Sequence, residues 1–129
     1  VSGLHGGEVS VEVRLRLDDA NELVALITRA SFENLELAIG KEVHAFVKAP
    51  SVRVVTDPAA PTQDCNRLSG EVTAIHAGQA SAEVTITLPG GRNVTAVVTH
   101  DSLALLELAV GRPAGAVFPA NAVILAVFD

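Results

Sequence analysis

Sulfur and large aromatic side chains are nearly missing from this chain. It has one cysteine, four phenylalanines, and no methionine, tryptophan or tyrosine. A lone thiol, Cys65, excludes an intrachain disulfide and suits a reducing, cytoplasmic compartment. With so few rings there is no stacking platform for bases. Positive charge is scarce too: nine Lys and Arg stand against fifteen Asp and Glu, a net charge of −6. The deficit is even, with 6 basic and 9 acidic residues in 1–57 and 3 and 6 in 58–129, so each part carries −3. A phosphate-backbone binder presents a basic face, so no direct contact with nucleic acid is expected. No apolar run reaches the roughly 20 residues of a membrane helix. No charged n-region followed by an apolar h-region opens the chain, so no membrane association is expected.

Catalytic signatures are missing as well. There is no HxH, HExxH, CxxC or GxSxG, and "PGGRN" (Pro89–Asn93) is a hairpin turn, not a phosphate loop. His5, His44, His76 and His100 lack metal-ligand spacing. His5 and His76 precede glycines and read as turn residues, and His44 reads as a strand-edge residue. Cys65 has no activating histidine beside it in the sequence. The chain is therefore read as a non-enzyme.

What is present is a repeat. "LELAIG" (Leu35–Gly40) returns as "LELAVG" (Leu106–Gly111), and the same offset of 71 aligns Val1 with Val72, His5 with His76, Thr28 with Thr99 and Val52 with Val123 without a gap. A gapless offset of this length marks a duplicated unit. The second copy opens with "DCNRLSGEV" (Asp64–Val72), whereas the first begins at Val1, the partner of Val72. An opening strand is thus expected to be missing from copy one, by truncation ahead of Val1.

Within each unit the apolar period is two. Val9, Val11, Val13, Leu15 and Leu17 alternate with polar residues, as does "SAEVTITL" (Ser81–Leu88), which predicts half-buried strands. Asp18–Asn21 and Pro89–Asn93 read as hairpin turns, with "LVALIT" and "VTAVVT" as return strands. Short helices follow, capped by Ser31 in copy one and by Asp101 or Ser102 in copy two, and ended by Gly40 and Gly111. "EVHAFVKA" and "VRVVT" are expected to close the first unit, and "GAVFPA" and "AVILAVF" the second. Each unit then has about five strands and one short helix, the inventory of a small OB-like barrel. The expected fold class is all-β, as two tandem OB-like barrels: residues 1–57, a linker over 58–63 with Pro58 and Pro61, and residues 64–129.

One constellation could hold a small ligand. Thr28 ends a strand, Ser31 sits at a helix start, and Lys48 opens the turn "KAPS" (Lys48–Ser51). Hydroxyls, backbone N–H groups and one cation suit an oxyanion, which accepts hydrogen bonds and has none to give. The same residues also fit ordinary capping by Ser31 and a solvated Lys48.

The runs "VALITRAS", "LELAIGKEVHAFVKAPSV", "NRLSGEVTAIHAG" and "AEVTITLPGG" resemble a tandem Mop, or TOBE-type, molybdate-binding domain. Within that family the resemblance is strongest to the C-terminal sensor half of ModE-type molybdate-responsive regulators. It implies paired OB-like barrels that bind molybdate or tungstate as intact oxyanions at subunit interfaces, with no direct protein–metal ligand. It places the anion contacts on Thr28, Ser31, Lys48 and the backbone of Ala49 and Pro50. The family's opening "SARN" strand maps onto Gln63, Asp64, Cys65 and Asn66 in copy two, where only the Asn is kept. Copy two keeps Thr99 and Ser102, but Pro119 stands where Lys48 stands in copy one, so its site is expected to be degenerate. The function implied is the dimerising, ligand-sensing domain of a transcriptional regulator, with a DNA-reading helix-turn-helix upstream. The alternatives are a trimeric cytoplasmic molybdate-storage protein, the accessory tail of a molybdate-transporter ATPase, and a structural dimerisation module with a vestigial site.

Overall fold

The structure is a computed structural model that describes residues 1–57 and 65–127. The expected linker over 58–63, with Gln63 and Asp64, lies outside the described residues.

The first copy runs β1 (Gly3–Gly6), β2 (Ser10–Arg16), β3 (Glu22–Thr28), α1 (Arg29–Asn34), β4 (His44–Phe46), a short 3-10 turn (Ala49–Ser51) and β5 (Arg53–Val55). The second runs β6 (Cys65–Ala77), β7 (Ser81–Thr87), β8 (Asn93–Thr99), α2 (His100–Leu105), β9 (Pro113–Pro119), a 3-10 turn (Ala120–Ala122) and β10 (Ile124–Ala126). The offset of 71 carries β2 onto β7, β3 onto β8, α1 onto α2 and β5 onto β10 with identical bounds. The fold is all-β, a tandem of two OB-like units of five strands and one short helix each.

The alternation does what it predicts. Val11, Val13 and Leu15 of β2 and Ala82, Val84 and Ile86 of β7 point into one shared core, because successive strand residues face opposite sides. Val9 is the exception: it lies ahead of the strand and is 82% exposed.

The closing strands go elsewhere than expected. β5 joins the second copy's sheet, in the order β5-β9-β6-β7-β8, and β10 of the second copy pairs with β4 of the first. The two copies therefore exchange their last strands. Period-two patterning specifies a strand's faces but not its neighbour, so nothing local distinguishes the two pairings. β9 is seven residues long and is flanked by β5 and by the first half of β6. β4 is three residues long and pairs with β10.

β6 serves two partners by bending. Its register against β7 shifts between Val72 and Ala74, a bulge that increases local twist. Gly70 lies close against the end of β7: a Cβ there would clash with the Thr87 carbonyl oxygen. Gly70→Ala is expected to cost about 1–3 kcal/mol of stability, as overpacking does, read from a denaturant midpoint. An unchanged midpoint would contradict this close approach.

The helix ends differ from expectation at both termini. Thr28 and Thr99 are the N-caps, their hydroxyls accepting from the Ser31 and Ser102 N–H groups. A threonine that ends a strand is already extended, as a cap requires. Asp101 and Ser102 lie inside α2. The helices stop at Leu35 and Leu106, followed by Glu36 (φ 51) and Glu107 (φ 52). Gly40 (φ 88) and Gly111 (φ 96) come later, where their N–H groups donate to the carbonyls of Val1 and Val72 at 2.9 and 2.8 Å. His5 and His76 lie in strands opposite Glu12 and Glu83, not in turns.

The two hairpin turns meet. The Asp18 carboxylate accepts from the N–H groups of Ala20 (2.8 Å), Asn21 (2.9 Å) and Gly90 (3.3 Å) and from the Asn21 side chain. Arg92 donates to the Leu17 carbonyl. Partial desolvation pushes the Asp18 carboxyl up. The bonds from Ala20, Asn21 and Gly90 together outweigh it and hold the group below its ordinary value. A depressed folded pKa gives stability that is present above the unfolded value and is lost as pH falls through the folded one. Thermal stability should therefore fall more steeply below about pH 4 in the parent than in Asp18→Asn. Parallel curves would contradict the clasp.

Candidate functional site

Thr28 Oγ1 donates to Ser31 Oγ at 2.9 Å and accepts from the Ser31 N–H at 3.1 Å. Both residues are exposed. This leaves the Ser31 hydroxyl proton free to donate outward. Thr28 and Ser31 line a cavity of about 380 Å³ with Leu26, Asn34 and, from the second copy, Val123 to Leu125. Thr28→Ala should cost about 1 kcal/mol of stability through the lost cap, measurable by thermal melting. A loss near zero would mean that the cap contributes nothing.

Lys48 is exposed, and its ammonium makes no ion pair or hydrogen bond among the described residues. Of the other cations, only Arg53 shares that state. Lys41, which belongs to the same "GKEV…KAP" run, is committed: its ammonium donates to the carbonyls of Leu35 and Glu36 at 2.8 and 3.2 Å and caps the end of α1. Lys48 itself precedes the Ala49–Ser51 turn, accepting at its carbonyl from the Ser51 N–H at 2.9 Å.

The structure divides the expected set. The Ala49–Ser51 turn packs on β8 of the second copy, the strand that ends at Thr99. Ala49 lines a cavity with Asn93, Val94 and Thr95. Crosswise, the Ala120–Ala122 turn packs on β3, the strand that ends at Thr28. Thr28 and Ser31 are together; Lys48, Ala49 and Pro50 lie on the other flank. This follows from the strand exchange, which carries each closing turn to the opposite copy.

The second copy repeats the hydroxyl pair, Thr99 Oγ1 to Ser102 Oγ at 3.0 Å. Its charges differ. α2 carries Asp101 in its first turn and α1 carries no acid there. Copy one has Arg29 and Ala30 where copy two has His100 and Asp101. Arg29 reaches the Gly7 carbonyl (3.3 Å) and Glu33 (3.4 Å), and His100 Nε2 sits 2.7 Å from the Gly78 carbonyl. An anion is repelled by Asp101 and not at the matching Ala30. Sequence reading passed over this contrast, although aligning the copies position by position contains it.

Pro119 and Cys65 are opposite each other across β9 and β6. With Glu12, Val24, Leu26, Asn66, Ala120 and Asn121 they line a cleft of about 600 Å³. No cation lines it, and Glu12 adds negative charge. Among the described residues no three His, Cys, Asp or Glu side chains group as a metal site.

Fold and candidate site together define a tandem OB-like module whose first copy offers neutral and cationic donors. A family model for the TOBE domain matches residues 1–54 and 62–125, and the chain belongs to that family. It is 55% identical over 128 residues to the molybdenum transport protein ModE of Azotobacter vinelandii, across 99% of this chain and 47% of that protein. It is 42% identical over 123 residues to the molybdenum-pterin-binding protein MopA of Rhodobacter capsulatus, across 94% of this chain and 46% of that one. The chain thus spans about half the length of these curated relatives. Among solved structures it resembles the cytoplasmic molybdate-binding protein ModG with molybdate bound. The TM-score is 0.92 at 43% identity, over 98% of this chain and 91% of that one.

Proposed function

We propose that the chain binds molybdate or tungstate as an intact oxyanion, in the cytoplasm, through Thr28, Ser31, Lys48 and the backbone of Ala49 and Pro50. The observation that carries this reading is the likeness along nearly the whole chain to ModG, a molybdate-binding protein. The Lys48 ammonium, without a partner among the described residues, and the acid-free start of α1 support copy one as the site. Thr99, Ser102 and Pro119 mark its degenerate twin. The division into units 1–57 and 64–129 belongs to the same proposal. The storage reading is supported by the likeness to ModG over 98% of this chain and 91% of that one. The 55% identity to ModE keeps the sensor as the second reading. Mass in solution separates them: a trimer favours storage and a dimer the sensor.

Thr28 and Ser31 lie on a different flank from Lys48, so the complete site is formed between two copies of this chain, one giving the hydroxyls and its neighbour the lysine. Mixing tests this. Lys48→Ala and Ser31→Ala chains should each bind poorly alone. Once unfolded and refolded together, they should regain intact sites in mixed assemblies. No recovery would place the whole site within one chain. Loss of binding in Thr99→Val would mean that Lys48 works with the second copy's hydroxyls instead.

A further inference from the structure

The geometry points to Asn66 as a positioning residue for the Thr28–Ser31 half-site, an inference that rests on the oxyanion reading above. Among the described residues, Asn66 and Asn21 are the two buried polar residues, at 5% and 3% exposure. Asn66 Oδ1 accepts from the Val24 N–H and its Nδ2 donates to the Val24 carbonyl, both at 2.7 Å. Asn21 answers three residues away on each strand: Ser69 N–H donates to its Oδ1 at 2.9 Å, and its Nδ2 donates to the Ser69 carbonyl at 3.2 Å. A carboxamide carries the donor and acceptor of a peptide group, so each side chain stands in for a missing strand residue. β3 and β6 are too far apart for a backbone ladder, and two amides span the gap.

This seam sets where β3 lies against the second copy. Asn66 is paired with Phe118 and Cys65 with Pro119 in the β6–β9 register. It therefore ties β3 to the strand that leads into the Ala120–Ala122 turn. The chain leaving that turn, Val123 to Leu125, is the wall that faces Thr28 and Ser31. Val24 and Thr28 lie on the same face of β3. Losing the bonds at Val24 frees β3 to move against that wall and shifts the hydroxyls that Asn66 never touches.

The test is Asn66→Asp, titrated with molybdate across pH. A neutral carboxyl reproduces both bonds: one oxygen accepts from Val24 N–H and the other, protonated, donates to its carbonyl. A carboxylate cannot donate and is repelled by that carbonyl. Burial raises the carboxyl's pKa, so the mimic is restored as pH falls. Affinity in the variant should be weaker by about tenfold or more at about pH 8, and within about threefold of the parent at about pH 5.5. The titratable or charged groups on the packed elements, Glu12, Glu22, Cys65 and Arg67, are common to both chains, so the parent's profile subtracts them. Circular dichroism at each pH confirms that the titrated chain is folded. A folded variant that binds like the parent at about pH 8 overturns the proposal. If the variant unfolds there, amide exchange in the parent decides. Molybdate should slow exchange at the Val24 N–H, and an unchanged rate overturns the role. A parent that does not bind molybdate removes the oxyanion reading itself, and the role of Asn66 with it.

Discussion

Lys48→Ala is expected to weaken molybdate binding by about ten- to 150-fold, since a hydrogen bond to a charged group is worth roughly 1.5–3 kcal/mol. The fold should not notice, because the Lys48 ammonium is solvated and has no partner among the described residues. Pro119→Ala, at the matching position of the second copy, should leave affinity within about twofold, as a surface change away from the site does. Calorimetry on the two variants reads the contrast. Equal losses would mean that both copies bind and that the site assignment is wrong.

Phe118→Ala should cost about 3–5 kcal/mol of stability, a large share of the roughly 5–15 kcal/mol that holds an ordinary domain together. Phe118 is 1% exposed and is the largest of the fully buried side chains. It lies in β9, which is covered on one edge by β5 and on the other by β6. Its counterpart in the first copy is Val47, just past β4 and partly buried. Val47→Ala should cost only about 1 kcal/mol. Denaturant midpoints with unchanged slopes test both. Similar losses at the two positions would contradict the unequal burial of the two copies.

That inequality bears on how much was legible in advance. Strands β2, β3, β7 and β8 and their hairpins follow from alternating Val and Leu and from the Asp18–Asn21 and Pro89–Asn93 turns, all local signals. The offset of 71 fixes equivalences between copies with no structure at all. The exchange of β5 and β10 was not legible, because "VRVV" and "VILA" pattern alike and nothing near them names a partner. The caps were misassigned for a related reason. Thr28 and Ser31 are three apart, and either hydroxyl fits a cap until the backbone of Thr28 is known to be extended. Asn21 read as a turn residue and Asn66 as a motif remnant. Their amides carry the seam between copies only because residues 42 and 48 positions away in sequence arrive opposite them.

For the site, the Thr28–Ser31 pair was legible because the two residues share one helix start. The flank on which Lys48 lies was not, since it depends on the exchange. The contrast between Ala30 and Asp101 was present in the aligned copies and took its meaning from their places at the two helix starts. An anion at the first start meets Arg29 nearby, and at the second it meets a carboxylate.

The most direct test of oxyanion binding through copy one is a calorimetric titration of this chain with molybdate, repeated in excess sulfate, with solution mass measured in parallel. The expected result is saturable binding near one anion per chain that sulfate does not displace, in a species larger than one chain. No heat with molybdate or tungstate, or full displacement by sulfate, would contradict it.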